Sequence, residues 1–347
     1  MADHPGRRHP GRLTAAPQAS RPTMDPVPIT LACWDYDRTL PILRGLVPIE
    51  GCAVHGTVLT PQEAFVRAFT GAEFDVSELS LSRQAQAVAR GTNAYVAIPA
   101  FPSRAFRHAS LYVRADRGIA APQDLRGRRI GLVNFDDTAA VVIRGLLEDV
   151  YGVARADVTW VVGDLDRPRR DGIAVPALSA AVPVEASAPG DTLDRQLVEG
   201  RIDGLIGLVP PPCFQARDPV VRRLFPDWAR EERAYWAATG LFPVMHVVGI
   251  RRSLAEQHPW LPKSVFAAFA AAKDLAMADL AMLQAPKTSL PWLVAAYEDT
   301  RALMGDDFWA YGIEANRAVL AATLRHLRQD GLLARDLVVE ELFPLPV

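Results

Sequence analysis

The chain has 347 residues, of which 50% are hydrophobic and 22% charged, so it is long enough for two globular domains with full cores. Its formal net charge of −2 gives no general attraction to nucleic acid or to an anionic membrane, and we expect neither as a partner. The three cysteines include no CxxC pair, which argues against a zinc site and indicates free thiols in a reducing compartment.

The N-terminal stretch is rich in proline, arginine and alanine and has no apolar segment of the kind that a secretory signal needs. We expect a disordered tail over residues 1–27 and a cytoplasmic protein. No apolar run in the chain reaches the roughly eighteen residues that a membrane helix requires. Export and membrane insertion are therefore not expected.

Strands and helices alternate from residue 28 onwards. Helix 60–70 has a Thr N-cap followed by proline, and helix 81–91 ends at a glycine. This alternation predicts an α/β sheet that is covered on both faces. Strands are predicted over residues 28–34, 53–59, 74–80 and 94–101.

A second α/β unit follows, with a strand at 129–133, a helix at 138–152 and a strand at 157–163. Residues 166–191 have low complexity and predict a loop with one edge strand. A strand at 244–251 and long helices then lead to the C-terminus. This order predicts two lobes with a ligand cleft between them, lobe 1 being residues 28–118 and 214–347 and lobe 2 residues 119–213.

The segment DYDRT lies where the first strand ends. The carboxyl ends of strands border the ligand crevice in open α/β sheets, so these side chains are candidates to line it. The alternative is that Asp37 only caps a helix and pairs with Arg38 on the surface. The candidates here are Trp34, Asp35, Tyr36, Asp37 and Arg38.

Glu78, Ser80 and Ser82 lie at the end of another strand, where the two serines could equally be helix caps. Thr138 begins a helix whose N-terminus could bind an anion. Arg144, inside that helix, could bind a carboxylate or pair with the acidic residue four positions further on.

Two arginines and a histidine precede a predicted strand in FPSRAFRHASLYV. On a helical or turn backbone, Arg104 and Arg107 could converge on one carboxylate, and His108 could exchange a proton near neutral pH. The alternative is a basic surface turn. His246 lies in an apolar strand, where a hydrogen-bonded core residue is the usual alternative to a catalyst.

Several segments, in this order, resemble the 4,5-dihydroxyphthalate decarboxylase family. The resemblance covers residues 28 to about 280 and includes ACWDYDRT, EFDVSELSLSRQ, YVAIPAFPSRAFRHASLYV and ERAYWAATGLFPVMHVVGIRR. It implies a type II periplasmic-binding-protein-like fold, with a mixed sheet flanked by helices in each lobe. It also implies decarboxylation of a hydroxylated aromatic acid in the interlobe cleft.

Such a reaction requires a carboxylate clamp, a group that accepts a phenolic proton and a donor that protonates the ring carbon. We expect the arginines and Thr138 to bind carboxylates, and His108 or His246 to donate the proton. Asp35, Asp37 or Glu78 would orient an imidazole or accept the phenolic proton. The scheme needs no metal or organic cofactor.

Two other functions fit the same residues. One is a solute-binding receptor that closes on a small carboxylate without reacting with it, and the other is a different small-molecule lyase on the same fold. The expected partner is in every case a small molecule, with a homo-oligomer also possible.

Overall fold

The computed structural model describes residues 25–168 and 182–347. The predicted tail lies outside the described residues as far as residue 24, and Val27 already begins the first strand. Part of the predicted low-complexity loop, residues 169–181, also lies outside them.

Two mixed sheets form the centre of the two lobes. The first has the order β2-β1-β3-β11-β4 and the second the order β10-β5-β9-β6-β7-β8. The strands are β1 (Val27–Cys33), β2 (Cys52–Val58), β3 (Val76–Ser80), β4 (Tyr95–Arg104), β5 (Leu111–Arg114), β6 (Arg129–Leu132), β7 (Thr159–Val162), β8 (Val184–Ala186), β9 (Gly204–Ile206), β10 (Val221–Arg223) and β11 (Val244–Arg251).

Helices pack around both sheets. They are α1 (Leu40–Leu43), α2 (Pro61–Gly71), α3 (Leu81–Arg90), α4 (Thr138–Tyr151), α5 (Leu193–Glu199), α6 (Pro212–Gln215), α7 (Trp228–Thr239), α8 (Arg252–Gln257), α9 (Leu261–Leu280), α10 (Leu293–Met304), α11 (Arg317–Gln329) and α12 (Val339–Leu342). Within the two described ranges, none of these helices has the length and apolarity needed to cross a bilayer.

The predicted lobe boundaries each differ from the sheets by one strand. The chain crosses between the sheets after Arg104 and again after Arg223. β5 therefore pairs with β9 in the second sheet, although the predicted boundary placed all residues from 28 to 118 in lobe 1. β10 pairs with β5 in the same sheet, beyond the predicted boundary at 213. The alternation of a short strand does not indicate which sheet it joins, because pairing depends on remote partners.

One hydrophobic core connects the two lobes. It includes Leu79 and Phe101 from the first lobe and Leu132 and Val141 from the second. Leu320, on the C-terminal helix α11, belongs to the same core. This continuity fixes the start of α4 against the ends of the first-sheet strands, which is where the candidate site lies.

Candidate functional site

The N-terminus of α4 meets the start of α3 across the gap between the lobes. The Ser80 and Thr138 hydroxyl oxygens are 3.0 Å apart, and Thr138 Oγ1 also accepts a 3.0 Å hydrogen bond from the Ser82 amide. Ser80 is the N-cap of α3, as the capping interpretation predicted, whereas Ser82 Oγ donates to the Asp136 carbonyl at 2.6 Å. These contacts hold the two lobes together beside the candidate site.

Glu78 and His246 form a buried pair on neighbouring strands. Glu78 lies opposite Val248 in the antiparallel β3–β11 register, so His246, two residues from Val248, is on the same face of the sheet. The distance from His246 Nδ1 to Glu78 Oε1 is 2.6 Å. The Glu78 side chain is completely buried, while His246 keeps 16% of its side-chain surface exposed.

Further donors surround the Glu78 carboxylate. The Trp34 amide donates to Oε2 at 3.0 Å, and the Tyr36 hydroxyl donates to Oε1 at 2.9 Å. Burial raises the pKa of Glu78, but the hydrogen bonds from His246, the Trp34 amide and Tyr36 outweigh burial and hold this pKa below its ordinary value. Burial and the nearby Glu78 raise the pKa of Tyr36, which therefore stays a proton donor.

The charge of Glu78 sets the tautomer of His246. An ionised carboxylate only accepts hydrogen bonds, so Nδ1 carries the proton and Nε2 of the neutral ring is the free acceptor. Within the part of the chain that the structure describes, the His246 ring makes its hydrogen bond through Nδ1, and Nε2 has no partner. The arrangement therefore presents a base, oriented by Glu78, to the interlobe cavity.

This cavity has a volume of about 60 Å³. Pockets for small organic ligands usually measure roughly 300–1,000 Å³, so a ring can enter only if the lobes separate or side chains move. The cavity is lined by Gln62, Phe65, Ser80, Arg107, Asp137, Thr138, Ala139, Leu208, Met245 and His246.

Arg107 brings a positive charge to the cavity. Its Nε lies 3.3 Å from the Met245 sulfur, and across residues 25–168 and 182–347 no carboxylate lies within ion-pair distance of its guanidinium. Burial lowers the pKa of Arg107 to about 10, so it remains charged at neutral pH. Guanidinium groups and helix N-termini both favour anions, so Arg107 and the start of α4 at Thr138 have the chemistry to bind a carboxylate in this cavity.

Asp137 is a functional candidate that the sequence analysis missed. It precedes α4 but makes no capping hydrogen bond with its side chain. Its carboxyl accepts a 3.0 Å hydrogen bond from the Asn134 amide and lies 3.9 Å from Arg83. Burial raises the pKa of Asp137, so this acid keeps its proton at higher pH than an exposed aspartate does.

Arg104 does not converge with Arg107. It lies at the end of β4, and its guanidinium donates to the Phe242 carbonyl at 3.1 Å and to the Ala310 carbonyl at 2.6 Å. It also donates to Asn316. Because the chain is extended here and not helical, the spacing of three residues turns the two arginines to different surroundings, and the prediction of one shared anion is wrong.

Arg144 and His108 lie outside the cavity. Arg144 is buried in an ion pair with Asp330 at 2.6 Å and not with the acidic residue four positions on. His108 is enclosed by Phe225 and Tyr235, with ring centroids at 5.1 and 5.6 Å. Burial lowers the pKa of His108 to about 4, so the ring is neutral at physiological pH. Neither residue is placed to act on a ligand in the cavity.

The DYDRT segment supports the Glu78–His246 pair and contributes no acid to the cavity. Asp35 and Asp37 are exposed, and Asp37 pairs with Arg38 at 2.8 Å as the alternative predicted, but it does not cap α1, whose N-cap is Thr39. Arg38 also stacks on Tyr36, with its guanidinium carbon 4.3 Å from the ring centroid. Trp34 reaches Glu78 only through its backbone amide.

Solved structures resemble the chain in fold. A periplasmic sulfonate-binding protein, SsuA from Methylobacillus flagellatus, superposes with a TM-score of 0.55 and 12% identity over 92% of this chain and 91% of its own. The aliphatic sulphonate-binding protein SsuA from Escherichia coli gives a TM-score of 0.50 and 15% identity, over 92% and 99% of the two chains. They confirm the predicted periplasmic-binding-protein fold.

No family model matches the chain. A 4,5-dihydroxyphthalate decarboxylase from Comamonas testosteroni is 41% identical over 320 residues, covering 92% of this chain and 97% of that protein. A 4,5-dihydroxyphthalate decarboxylase from Pseudomonas putida is 41% identical over 204 residues, covering 59% and 79%. These similarities confirm the resemblance that the sequence segments indicated, and the chain belongs to the 4,5-dihydroxyphthalate decarboxylase family.

Proposed function

We propose that this protein is a carboxy-lyase that removes carbon dioxide from a hydroxylated, phthalate-type aromatic acid. One observation carries the proposal within this family: His246, held by Glu78, opens onto the same cavity as Arg107 and Asp137. A base, a cation and an acid are the three groups that such a reaction requires.

Arg107 and the first turn of α4 bind a carboxylate of the ring. The guanidinium is free to make paired hydrogen bonds, and the helix start at Thr138 adds backbone donors and a favourable dipole. Clamping the acid at this edge turns the opposite side of the ring, with its hydroxyls, toward β11. This orientation places a hydroxyl within reach of His246.

His246 then accepts the proton of the hydroxyl para to the leaving carboxylate. Glu78 stabilises the resulting imidazolium through the 2.6 Å contact to Nδ1. The phenolate directs electron density to the ring carbon that bears the carboxylate. Asp137 gives its proton to that carbon, and the bond to the carboxylate breaks.

The electron pair of the broken bond restores the aromatic ring as carbon dioxide leaves. His246 returns its proton to the phenolate, and solvent reprotonates Asp137. One proton is consumed for each carboxylate lost. For 4,5-dihydroxyphthalate, the product of this sequence is 3,4-dihydroxybenzoate.

A solute-binding receptor is the second candidate, because the SsuA neighbours that share the fold are binding proteins. Incubating the purified chain with 4,5-dihydroxyphthalate separates the two functions. The lyase releases carbon dioxide and a monocarboxylate, whereas a receptor returns the ligand unchanged. If the chain released carbon dioxide only from a different aromatic acid, the proposed reaction would stand and the proposed substrate would be wrong.

Replacing Arg107 by glutamine is expected to raise KM for the aromatic acid about 10- to 100-fold, because a charge-assisted hydrogen bond contributes about 1.5–3 kcal/mol. Steady-state kinetics measure this change. An unchanged KM would mean that the carboxylate binds elsewhere.

Arg104→Gln is the matched control, since Arg104 comes from the same segment but donates to carbonyls away from the cavity. We expect a loss of about 1–3 kcal/mol in the free energy of unfolding, because buried acceptors lose their donor. Urea denaturation measures it. A KM effect as large as that of Arg107→Gln, with no loss of stability, would contradict this division of roles.

The cytoplasmic location and a homo-oligomeric state remain predictions. Cell fractionation and sedimentation velocity test them separately.

A further inference from the structure

A second pocket lies on the far side of the first crossing between the lobes. It has a volume of about 370 Å³, which falls within the range typical of small-ligand pockets. It lies between α7, α10 and the crossing segment that carries Arg107 and His108. Nothing in the proposed reaction uses this pocket.

Aromatic side chains form most of its wall. Phe106 and Phe242 are stacked with ring centroids 4.7 Å apart, and Phe242 meets Trp309 edge-on at 5.4 Å. Trp236 is fixed by a 3.1 Å hydrogen bond from its indole nitrogen to the Leu303 carbonyl. The pocket also includes Trp228 and Phe308. Such walls favour a flat aromatic ring, which stacks or packs edge-on against them.

Two neighbouring residues of α7 add polar groups to the wall of the pocket. Arg233 is exposed, and its guanidinium makes no hydrogen bond or ion pair with any residue that the structure describes. Glu232 is half-buried and can accept a hydrogen bond from a hydroxyl. A ring that carries both a carboxylate and a hydroxyl matches this pair of groups.

We propose that this pocket is a second binding site, specific for a hydroxylated aromatic monocarboxylate. The ligand carboxylate pairs with Arg233, the ring lies among the tryptophan and phenylalanine side chains, and a hydroxyl donates to Glu232. The ligand class rests partly on the proposed function, since decarboxylation yields a compound of this kind. The site itself rests on the pocket and its unpaired cation.

Glu232 connects this pocket to the catalytic side. The Oε1 atom of Glu232 lies 4.0 Å from His108 Nδ1, and Arg107, the residue before His108, lines the interlobe cavity. A ligand that draws Glu232 toward the pocket acts on the segment that positions Arg107. Occupancy of the second site is therefore expected to change KM for the aromatic acid.

Isothermal titration of the full chain with 3,4-dihydroxybenzoate tests the proposal, with tryptophan fluorescence as a second readout. The wild type is expected to bind two equivalents per chain. Arg233→Gln is expected to weaken one site about 10- to 100-fold and to remove its fluorescence change, while the other site remains. The matched control Arg230→Gln, on the same helix but outside the pocket, retains both.

One equivalent in the wild type, or two that Arg233→Gln leaves unchanged, would overturn the proposal. The proposal would also be overturned if the chain bound a single equivalent and formed a dimer that the substitution Trp228→Ala dissociates. That result would show that a second copy of the chain covers the pocket. These outcomes are independent of the lyase assay. If the chain releases carbon dioxide but binds only one equivalent, the second site is wrong and the proposed reaction stands. If Arg233 is needed for a second site but no carbon dioxide is released, the proposed reaction is wrong and the second site stands.

Discussion

His246→Gln is expected to lower kcat for decarboxylation about 100- to 10,000-fold, the contribution of a positioned acid–base group. The imidazole Nε2 is the acceptor that the Glu78 contact directs to the cavity, and glutamine cannot take up a proton there. KM is expected to change less, because Arg107 still holds the carboxylate. Stopped assays of carbon dioxide release measure both constants.

Two further variants show whether this loss is specific to His246. Glu78→Gln should produce a loss of similar size, because the two residues act as one unit and the imidazolium loses its counter-charge. His108→Phe should keep turnover within a few-fold, since it preserves the aromatic packing around a buried ring that has no hydrogen-bond partner among the described residues. If His108→Phe abolished turnover and His246→Gln did not, the roles of the two histidines would be reversed.

Asp137→Asn is expected to lower kcat by about 100- to 10,000-fold as well, with little change in KM. Asparagine keeps the shape and the hydrogen bond from Asn134 but has no proton to give to carbon. Asp136→Asn, which instead loses the 3.4 Å contact to Arg83, is the neighbouring control and should remain active. Comparable losses in both variants would indicate that Arg83 and not proton donation matters.

The pH dependence tests the same role. Burial raises the pKa of Asp137, and the carboxylates of a bound ligand raise it further by charge repulsion. Activity that needs the protonated form is complete below this pKa and falls as pH rises through it. The Asp137→Asn variant should have a lower kcat and should no longer show the decrease of activity at alkaline pH, whereas Asp136→Asn should still show it. An alkaline limb that survives in Asp137→Asn would assign it to another group.

Local signals predicted most of the fold. The apolar runs became β1 to β4 and β11, and the Ser80 cap and the glycine after α3 mark that helix as the sequence indicated. Thr138 also begins α4, as predicted. These features depend on neighbours within a few residues, so a single sequence is enough to find them.

The site was harder to predict because it depends on remote contacts. The aromatic cage of His108 comes from Phe225 and Tyr235, more than a hundred positions away. The partner of Arg144 is Asp330, which α11 and the chain beyond it bring to α4. A basic residue near a strand end has the same local signature whether it faces a cleft or a buried acceptor.

Asp137 was overlooked for a different reason. An aspartate directly before a helix is usually a cap, and that interpretation explains the residue without any function. The structure shows that its side chain does not cap α4 and instead lines the cavity. The sequence did contain a signal for Asp137, because it lies directly before a helix N-terminus that was predicted to bind an anion. An ionised acid at that position opposes anion binding, so a functional acid there has to be protonated.

A crystal structure of the His246→Gln variant with 4,5-dihydroxyphthalate tests the proposed site most directly. We expect a ligand carboxylate on Arg107 and the first turn of α4, a hydroxyl facing position 246, and the Asp137 carboxyl against the carbon that bears the leaving group. The lobes should be further apart than in the present structure, in which the cavity between them measures only about 60 Å³. A ligand bound outside this cleft, or with its hydroxyls on Arg107 and its carboxylates toward β11, would contradict the mechanism.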